Sequence, residues 1–290
     1  MNKLLVIIGQ TATGKTKLAL QYAKRYDGEL INCDSRQIYK YLDIITGKDK
    51  KEIGKTPIHL YDVADPKEYF SSYDFKIRAE KTIKDILKRG KTPIIVGGTY
   101  LYLSHLLYGI ETESIKPDFR LRKRLQEKSV VELHKLLGKK ELARLNQSDK
   151  NNPRRLIRRI ETQRSSGGKF LRLDRGAAER ALSRSQKFDI ELLAIRFTSK
   201  ELMTEAIRQR VEKRLKQGAV EELQTLINKG YKLSDPGLQA TGCKEIFAYI
   251  NGGLTKQQLV DKWALSEIHY AKRQYTFMKR DTNINWIEIE

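Results

Sequence analysis

Residues 9–16 read GQTATGKT and satisfy the phosphate-loop pattern G-x-x-x-x-G-K-[ST]. The residue types specify the chemistry. Backbone N–H groups along Gly9, Thr11, Ala12, Thr13 and Gly14, followed by a helix N-terminus, suit an anion; Lys15 adds a point charge, and the Thr16 hydroxyl suits Mg2+. Two further polar residues, Asp34 and Thr99, follow the apolar runs ELINC and TPIIVGG. Beside bound phosphates Asp34 suits a general base; by its residue type alone it reads first as a turn or helix-cap aspartate. Thr99 reads either as a site residue or as the N-cap of YLYLSHLLYG. Both a nucleotide and a lipid-like donor whose leaving group is a phosphate chain fit such a site.

Three strands are needed to bring these residues together. Leu4 to Ile8 is a β-branched run that ends at Gly9, and Leu18, Ala19, Tyr22 and Ala23 then keep helical spacing. ELINCDS predicts a second buried strand; Phe75, Ala79, Ile83, Ile86 and Leu87 predict a helix up to Gly90; TPIIVGGT predicts another strand. Strands alternating with helices imply a parallel sheet, and the crevice at the carboxyl ends of its strands would collect all three motifs. FDIELLAIRF, residues 188–197, predicts a return to the sheet, followed by one long helix over residues 199–229 and a mostly helical remainder.

Between residues 112 and 187 the strand-like runs vanish and arginine-rich helical segments take over. This block carries 22 basic against 9 acidic residues, a net +13 out of +21 for all 290 residues, so the excess charge is concentrated as in a polyanion footprint. The expected fold class is α/β, a P-loop NTPase-like parallel sheet flanked by helices with a basic helical insertion domain. Residues 1–111 and 188–290 would form the catalytic core and residues 112–187 the insertion.

Other classes are disfavoured. Cys33 and Cys243 lack CxxC spacing, which argues against a disulfide framework or a zinc cluster, and His59, His105, His134 and His269 are expected to be structural. LLVII is too short for a signal peptide's apolar core and no run of 18 apolar residues occurs, so a cytoplasmic protein without membrane contact is expected.

GQTATGKT, DSRQIY, FSSYDF, GGTYLY, PRRLIRRIE, LQATGCKE and AKRQYTF occur in this order. In this the chain resembles the bacterial tRNA dimethylallyltransferases, isopentenyltransferases that modify tRNA. The resemblance implies that the phosphate loop holds the diphosphate of dimethylallyl diphosphate and that N6 of adenosine 37 in the anticodon loop attacks the allylic carbon. Asp34 would then take the proton, with Thr99 and Arg210 as further catalytic residues and Mg2+, held at Thr16, as cofactor. It implies tRNA contact by Asp34, Ser35, Arg36, Gln37 and Thr99, by Arg120, Arg154, Arg155, Arg158 and Arg159, and by Lys244, Lys272, Arg273 and Gln274, in a protein expected to be monomeric.

The chain departs from that pattern in places. Gln10 replaces a proline, residues 43–49 (DIITGKD) match D-I-G-T-A-K-P loosely, Arg214 stands where methionine is usual, and Asn151 and Asn152 replace an acidic pair. Roles for Thr46 and Lys48 are not carried over. Two alternatives remain at this level: a small-molecule kinase, which would share the phosphate loop and the aspartate, and a non-catalytic RNA-binding NTPase switch.

Overall fold

The computed structural model describes residues 2–109, 115, 117–165 and 188–290. Two compact units are distinguished, one from Met1–Tyr108 and Arg180–Glu290, the other Gly109–Glu179.

The first unit is built on six parallel strands in the order β3-β2-β4-β1-β5-β6. In chain order it runs β1 (Asn2–Gly9), α1 (Lys15–Arg25), β2 (Gly28–Asn32), α2 (Asp43–Thr46), α3 (Lys50–Ile53), β3 (Ile58–His59), α4 (Ser72–Lys88), β4 (Thr92–Gly97) and α5 (Tyr100–Tyr108). β1 lies at the centre, with Ile7 opposite Val96 of β4 and also opposite Leu193 of β5. Its run LLVII is apolar on both sides because both faces are covered. Leu4, Val6 and Ile8 pack with Phe75, Ala79 and Leu103 of α4 and α5, whereas Leu5 and Ile7 pack with Ala19 and Ala23 of α1.

The second unit is helical: α6 (Phe119–Gln126), α7 (Val130–Leu137), α8 (Lys139–Arg144), α9 (Gln147–Lys150) and α10 (Pro153–Ser165). Leu121, Leu125, Leu133, Leu137, Leu156 and Ile160 form a core of their own.

The first unit resumes with β5 (Phe188–Phe197), α11 (Lys200–Lys216), α12 (Ala219–Asn228), α13 (Cys243–Ile250), α14 (Lys256–Met278) and β6 (Asn285–Ile289). The single helix expected over residues 199–229 is two helices. Gly218 takes φ 101°, a left-handed conformation that interrupts the helix, and apolar spacing on either side conceals the break. β3 and β6, the edge strands, were not anticipated; each is short and little of it is buried. Trp263 of α14 is fully buried in a further core shared by α11 to α14. No helix among the described residues is long and apolar enough to cross a membrane.

Candidate active site

The carboxyl ends of β1, β2 and β4 open onto one cleft of about 410 Å3, lined by Lys15, Thr16, Asp34, Tyr61, Arg210 and Tyr270, among others. On its β1 side the chain turns through left-handed conformations at Ala12 and Gly14, φ 66° and 72°. Several other helices begin with side-chain caps: Ser71 on α4, Ser129 on α7 and Thr255 on α14 each accept from the third amide of the helix. α1 begins at Gly14 without one. Among the described residues no backbone carbonyl accepts from the amides of Ala12, Gly14, Lys15 or Thr16 either, so these N–H groups are available to an anion.

Gly9 and Thr11, expected among the phosphate donors, also carry structural contacts. A Cβ on Gly9 would lie 2.9 Å from Ile195 N, so the residue permits close approach of β1 and β5. The Thr11 amide donates to Gln274 Oε1 at 2.8 Å and is thus taken. Gln10, the departure from proline, anchors the loop through its side chain: Oε1 accepts from Phe197 N at 3.1 Å and Nε2 donates to Ala271 O at 3.4 Å.

Lys15 Nζ donates to Gln10 O at 2.6 Å. Burial, and after it the Arg210 guanidinium, lowers its pKa to about 8. A cation held in that condition gains from any anion that enters. The Thr16 hydroxyl donates to Asp49 Oδ2 at 2.8 Å. Asp49 precedes α3 at the N-cap position, yet its side chain makes no capping bond and is turned to the phosphate loop instead.

Asp34 follows β2. Its Oδ1 accepts from Arg36 N at 2.8 Å, which realises the turn reading, while Oδ2 lies 3.5 Å from where a Cβ on Gly98 would stand. One carboxylate therefore serves both the turn and the cleft. Thr99 Oγ1 accepts from Ser35 N at 2.9 Å, tying the loop after β4 to the loop after β2. Tyr270 of α14 bonds Thr99 as well, and burial pushes its phenol pKa up. Arg210 of α11 reaches the loop from the opposite wall, with Nη1 2.5 Å from Thr11 Oγ1.

The segments carried over as tRNA contacts divide. Arg36 and Gln37 line the cleft while anchored, Arg36 Nη1 to Pro236 O at 2.9 Å and Gln37 Nε2 to Gly47 O at 2.8 Å. Lys244, Lys272 and Arg273 are exposed. Gln274 is buried in the wall of the cleft, clamped between Thr11 N and Gly98 O. In the second unit Arg120 and Arg154 are exposed. Arg155 pairs with Asp149, Arg158 with Glu161, and Arg159 Nε with Glu141 at 3.4 Å.

Lys48 is buried and donates to Tyr39 O, Asp43 and Asp62, a structural hub. His59, His105 and His134 hydrogen-bond Glu29, Ser72 and Lys150 O respectively. Asp49, Tyr61, Tyr270, Arg214 and Glu267 line the cleft without having been singled out as site residues. Tyr61 and Glu267 lie in segments without a motif, so no local signal marks them; Asp49 closes the loosely matching run DIITGKD, Tyr270 immediately precedes AKRQYTF, and Arg214 was noted only as a departure.

A family model described as IPP transferase matches residues 37–281. The chain is 36% identical over 295 residues to a tRNA dimethylallyltransferase of Staphylococcus epidermidis, covering 99% of this chain and 87% of the relative. It is 35% identical over 288 residues to one of Anoxybacillus flavithermus, covering 99% and 90%. The solved tRNA isopentenylpyrophosphate transferase of S. epidermidis superposes with a TM-score of 0.71 at 34% identity, over 99% of this chain and 93% of that one. A eukaryotic dimethylallyltransferase described as acting on tRNA superposes with 0.79 at 26% identity, over 99% and 74%.

Proposed function

The chain belongs to the IPP transferase family, and from that membership we propose that it transfers a dimethylallyl group from dimethylallyl diphosphate to N6 of adenosine 37 in the anticodon loop of tRNA. The observation that carries this reading is the placement of Asp34 across one cleft from a phosphate loop whose amides are left uncapped.

The N6 lone pair forms a bond to the allylic C1 as the C1–O bond to diphosphate breaks, and the N6 proton passes to Asp34. No phosphoryl group moves. The amides at the start of α1, Lys15 and Arg210 stabilise the charge that collects on the departing diphosphate, an electrostatic contribution available only where donors are already oriented. Thr99 and Tyr270 hold the loop that carries Asp34 in register with β4. An adenine stacked within the anticodon loop is out of reach of such a cleft, so the base must be splayed out, as single-stranded RNA recognition permits. The basic helical unit supplies phosphate contacts on the RNA.

Mg2+ fits the Thr16 hydroxyl and the Asp49 carboxylate, hard oxygen donors already in contact. No cluster of three or more histidine, cysteine or acidic side chains able to hold a metal occurs among the described residues. The substrate phosphates and water would therefore complete the ion's shell. When bound, the ion neutralises charge on the diphosphate. Asp49→Asn should weaken Mn2+ binding in the presence of inorganic diphosphate by about tenfold, read by electron paramagnetic resonance of free Mn2+; an unchanged titration removes Asp49 from the site.

The deciding assay mixes the protein with labelled dimethylallyl diphosphate, Mg2+ and an anticodon stem-loop, with ATP as the comparison. Label on the RNA and release of diphosphate are expected. Transfer of the γ-phosphoryl of ATP to a small molecule, with the prenyl donor ignored, would overturn the reading in favour of a kinase.

A further inference from the structure

One buried ion pair borders the cleft and has no part in the chemistry described above. Glu267 on α14 and Arg214 on α11 are each 4% exposed, with Nη1 3.0 Å from Oε1. Oε1 of Glu267 also accepts from Thr241 Oγ1 at 2.8 Å, and Oε2 accepts from Thr11 Oγ1 at 3.3 Å. Burial pushes the Glu267 pKa up, but the Arg214 and Arg210 guanidinium groups outweigh it and hold the carboxyl below its ordinary value.

As a device for stability the pair is poor. A buried ion pair gives up hydration on both partners and is often matched by apolar side chains of the same volume. Arg214 Nε, moreover, is buried without a hydrogen-bond partner among the described residues. A retained cost of this kind beside a site calls for a local reason.

Thr11 supplies the reason. Its hydroxyl has one proton, and giving that proton to Glu267 turns the oxygen's lone pairs toward Arg210, which can only donate. Arg210 needs such an acceptor. It stands one helical turn from Arg214, and both guanidinium groups converge on Gly47, where an added Cβ would lie 2.6 Å from Arg210 Nη2 and closer still to Arg214 Nη2. Like charges at that spacing repel, and a long side chain at the cleft wall escapes repulsion by swinging into solvent.

We propose that Glu267, held in place by Arg214, is a positioning residue that fixes Arg210 against the phosphate loop through the Thr11 hydroxyl. The arginine is then oriented before diphosphate arrives. This rests on the reading of the cleft as a prenyl diphosphate site.

The test is a double-mutant cycle on the full chain, reading the Kd of inorganic diphosphate with Mg2+ by calorimetry and, in parallel, kcat/KM. Glu267→Gln alone strands a buried guanidinium, so the partner background is Arg214→Met with Glu267→Gln, which removes both charges together. Arg210→Ala is expected to weaken diphosphate about tenfold or more in the wild type and less than about threefold in that background, the coupling typical of groups in one network. Thr11→Val is the second background, breaking the relay while leaving the ion pair intact, and the same shrinkage is expected there. Equal losses from Arg210→Ala in every background would reduce the pair to a structural role and overturn the proposal. No loss in the wild type would overturn the assignment of Arg210 to the site, and the proposal with it.

Discussion

Asp34 divides its work between two oxygens, and the division makes its role separable. Oδ1 holds the turn through Arg36 N, which an asparagine would preserve, whereas only a carboxylate accepts the N6 proton. Asp34→Asn should therefore fold and bind the stem-loop within about threefold of wild type while single-turnover prenylation falls by two to four orders of magnitude, roughly the worth of a general base. Unchanged turnover would exclude Asp34 as the base. Lys15 gives a second test. With its pKa lowered to about 8 in the free protein, the ammonium is present below that pH and lost above it, so diphosphate binding takes up a proton once the pH exceeds about 8. The Kd should rise with pH from there by up to about tenfold per unit, whereas Lys15→Arg, which stays charged, should give a flatter profile. Identical profiles would remove Lys15 from the anion site. GQTATGKT, Asp34 and Thr99 were legible because each sits within a few residues of the strand that places it. Glu267 was not: its partners Thr11 and Arg214 are remote in sequence, and a glutamate in the middle of a 23-residue helix reads as a solvated face.

At the scale of elements, the break at Gly218 matters to the site. It sets α12 off from α11 so that Glu222 can cap α2, accepting from the amides of Asp43, Ile44 and Ile45 at 2.9, 2.8 and 2.9 Å. α2 ends at Gly47, the backbone against which Arg210 and Arg214 converge. Glu222→Ala leaves three amides without their acceptor and should cost about 2–3 kcal/mol, seen as a lower urea midpoint at unchanged m. A shift below about 0.5 kcal/mol would mean that water replaces the carboxylate at no cost. The sheet was readable from apolar runs because its central strands are buried on both faces. The bend was not, since Leu215 and Val220 continue a helical apolar pattern across a glycine whose positive φ no spacing reveals. The carboxylate cap was equally hidden, because Glu222 lies 179 residues from Asp43.

For the whole molecule the informative quantity is charge. A net +13 over residues 112–187 was plain in the sequence, but how much of it is available to RNA depends on pairing that only the fold discloses. Within the second unit Glu161 is fully buried and accepts from Arg122 Nε at 2.9 Å, from Asp118 N at 2.7 Å and from Arg158. Arg155 and Arg159 are likewise engaged by Asp149 and Glu141. Arg120 and Arg154 are exposed. If six phosphates are neutralised in all, log affinity for a tRNA should fall against log salt with a slope of roughly −4 to −5, from the coefficients for single and double strands. Arg120→Ala and Arg154→Ala should each make that slope shallower by about 0.7–0.9 and leave the single-turnover rate on bound RNA unchanged. Arg158→Ala should act differently, because it removes a charge partner from a buried carboxylate and so lowers thermal stability before it touches the salt slope. Filter binding across a salt series, paired with thermal melts of the three variants, separates these outcomes: a slope insensitive to Arg120 and Arg154 would dismiss the exposed arginines as the footprint, and a shallower slope at unchanged melting temperature for Arg158→Ala would show that its pairing with Glu161 gives way to phosphate.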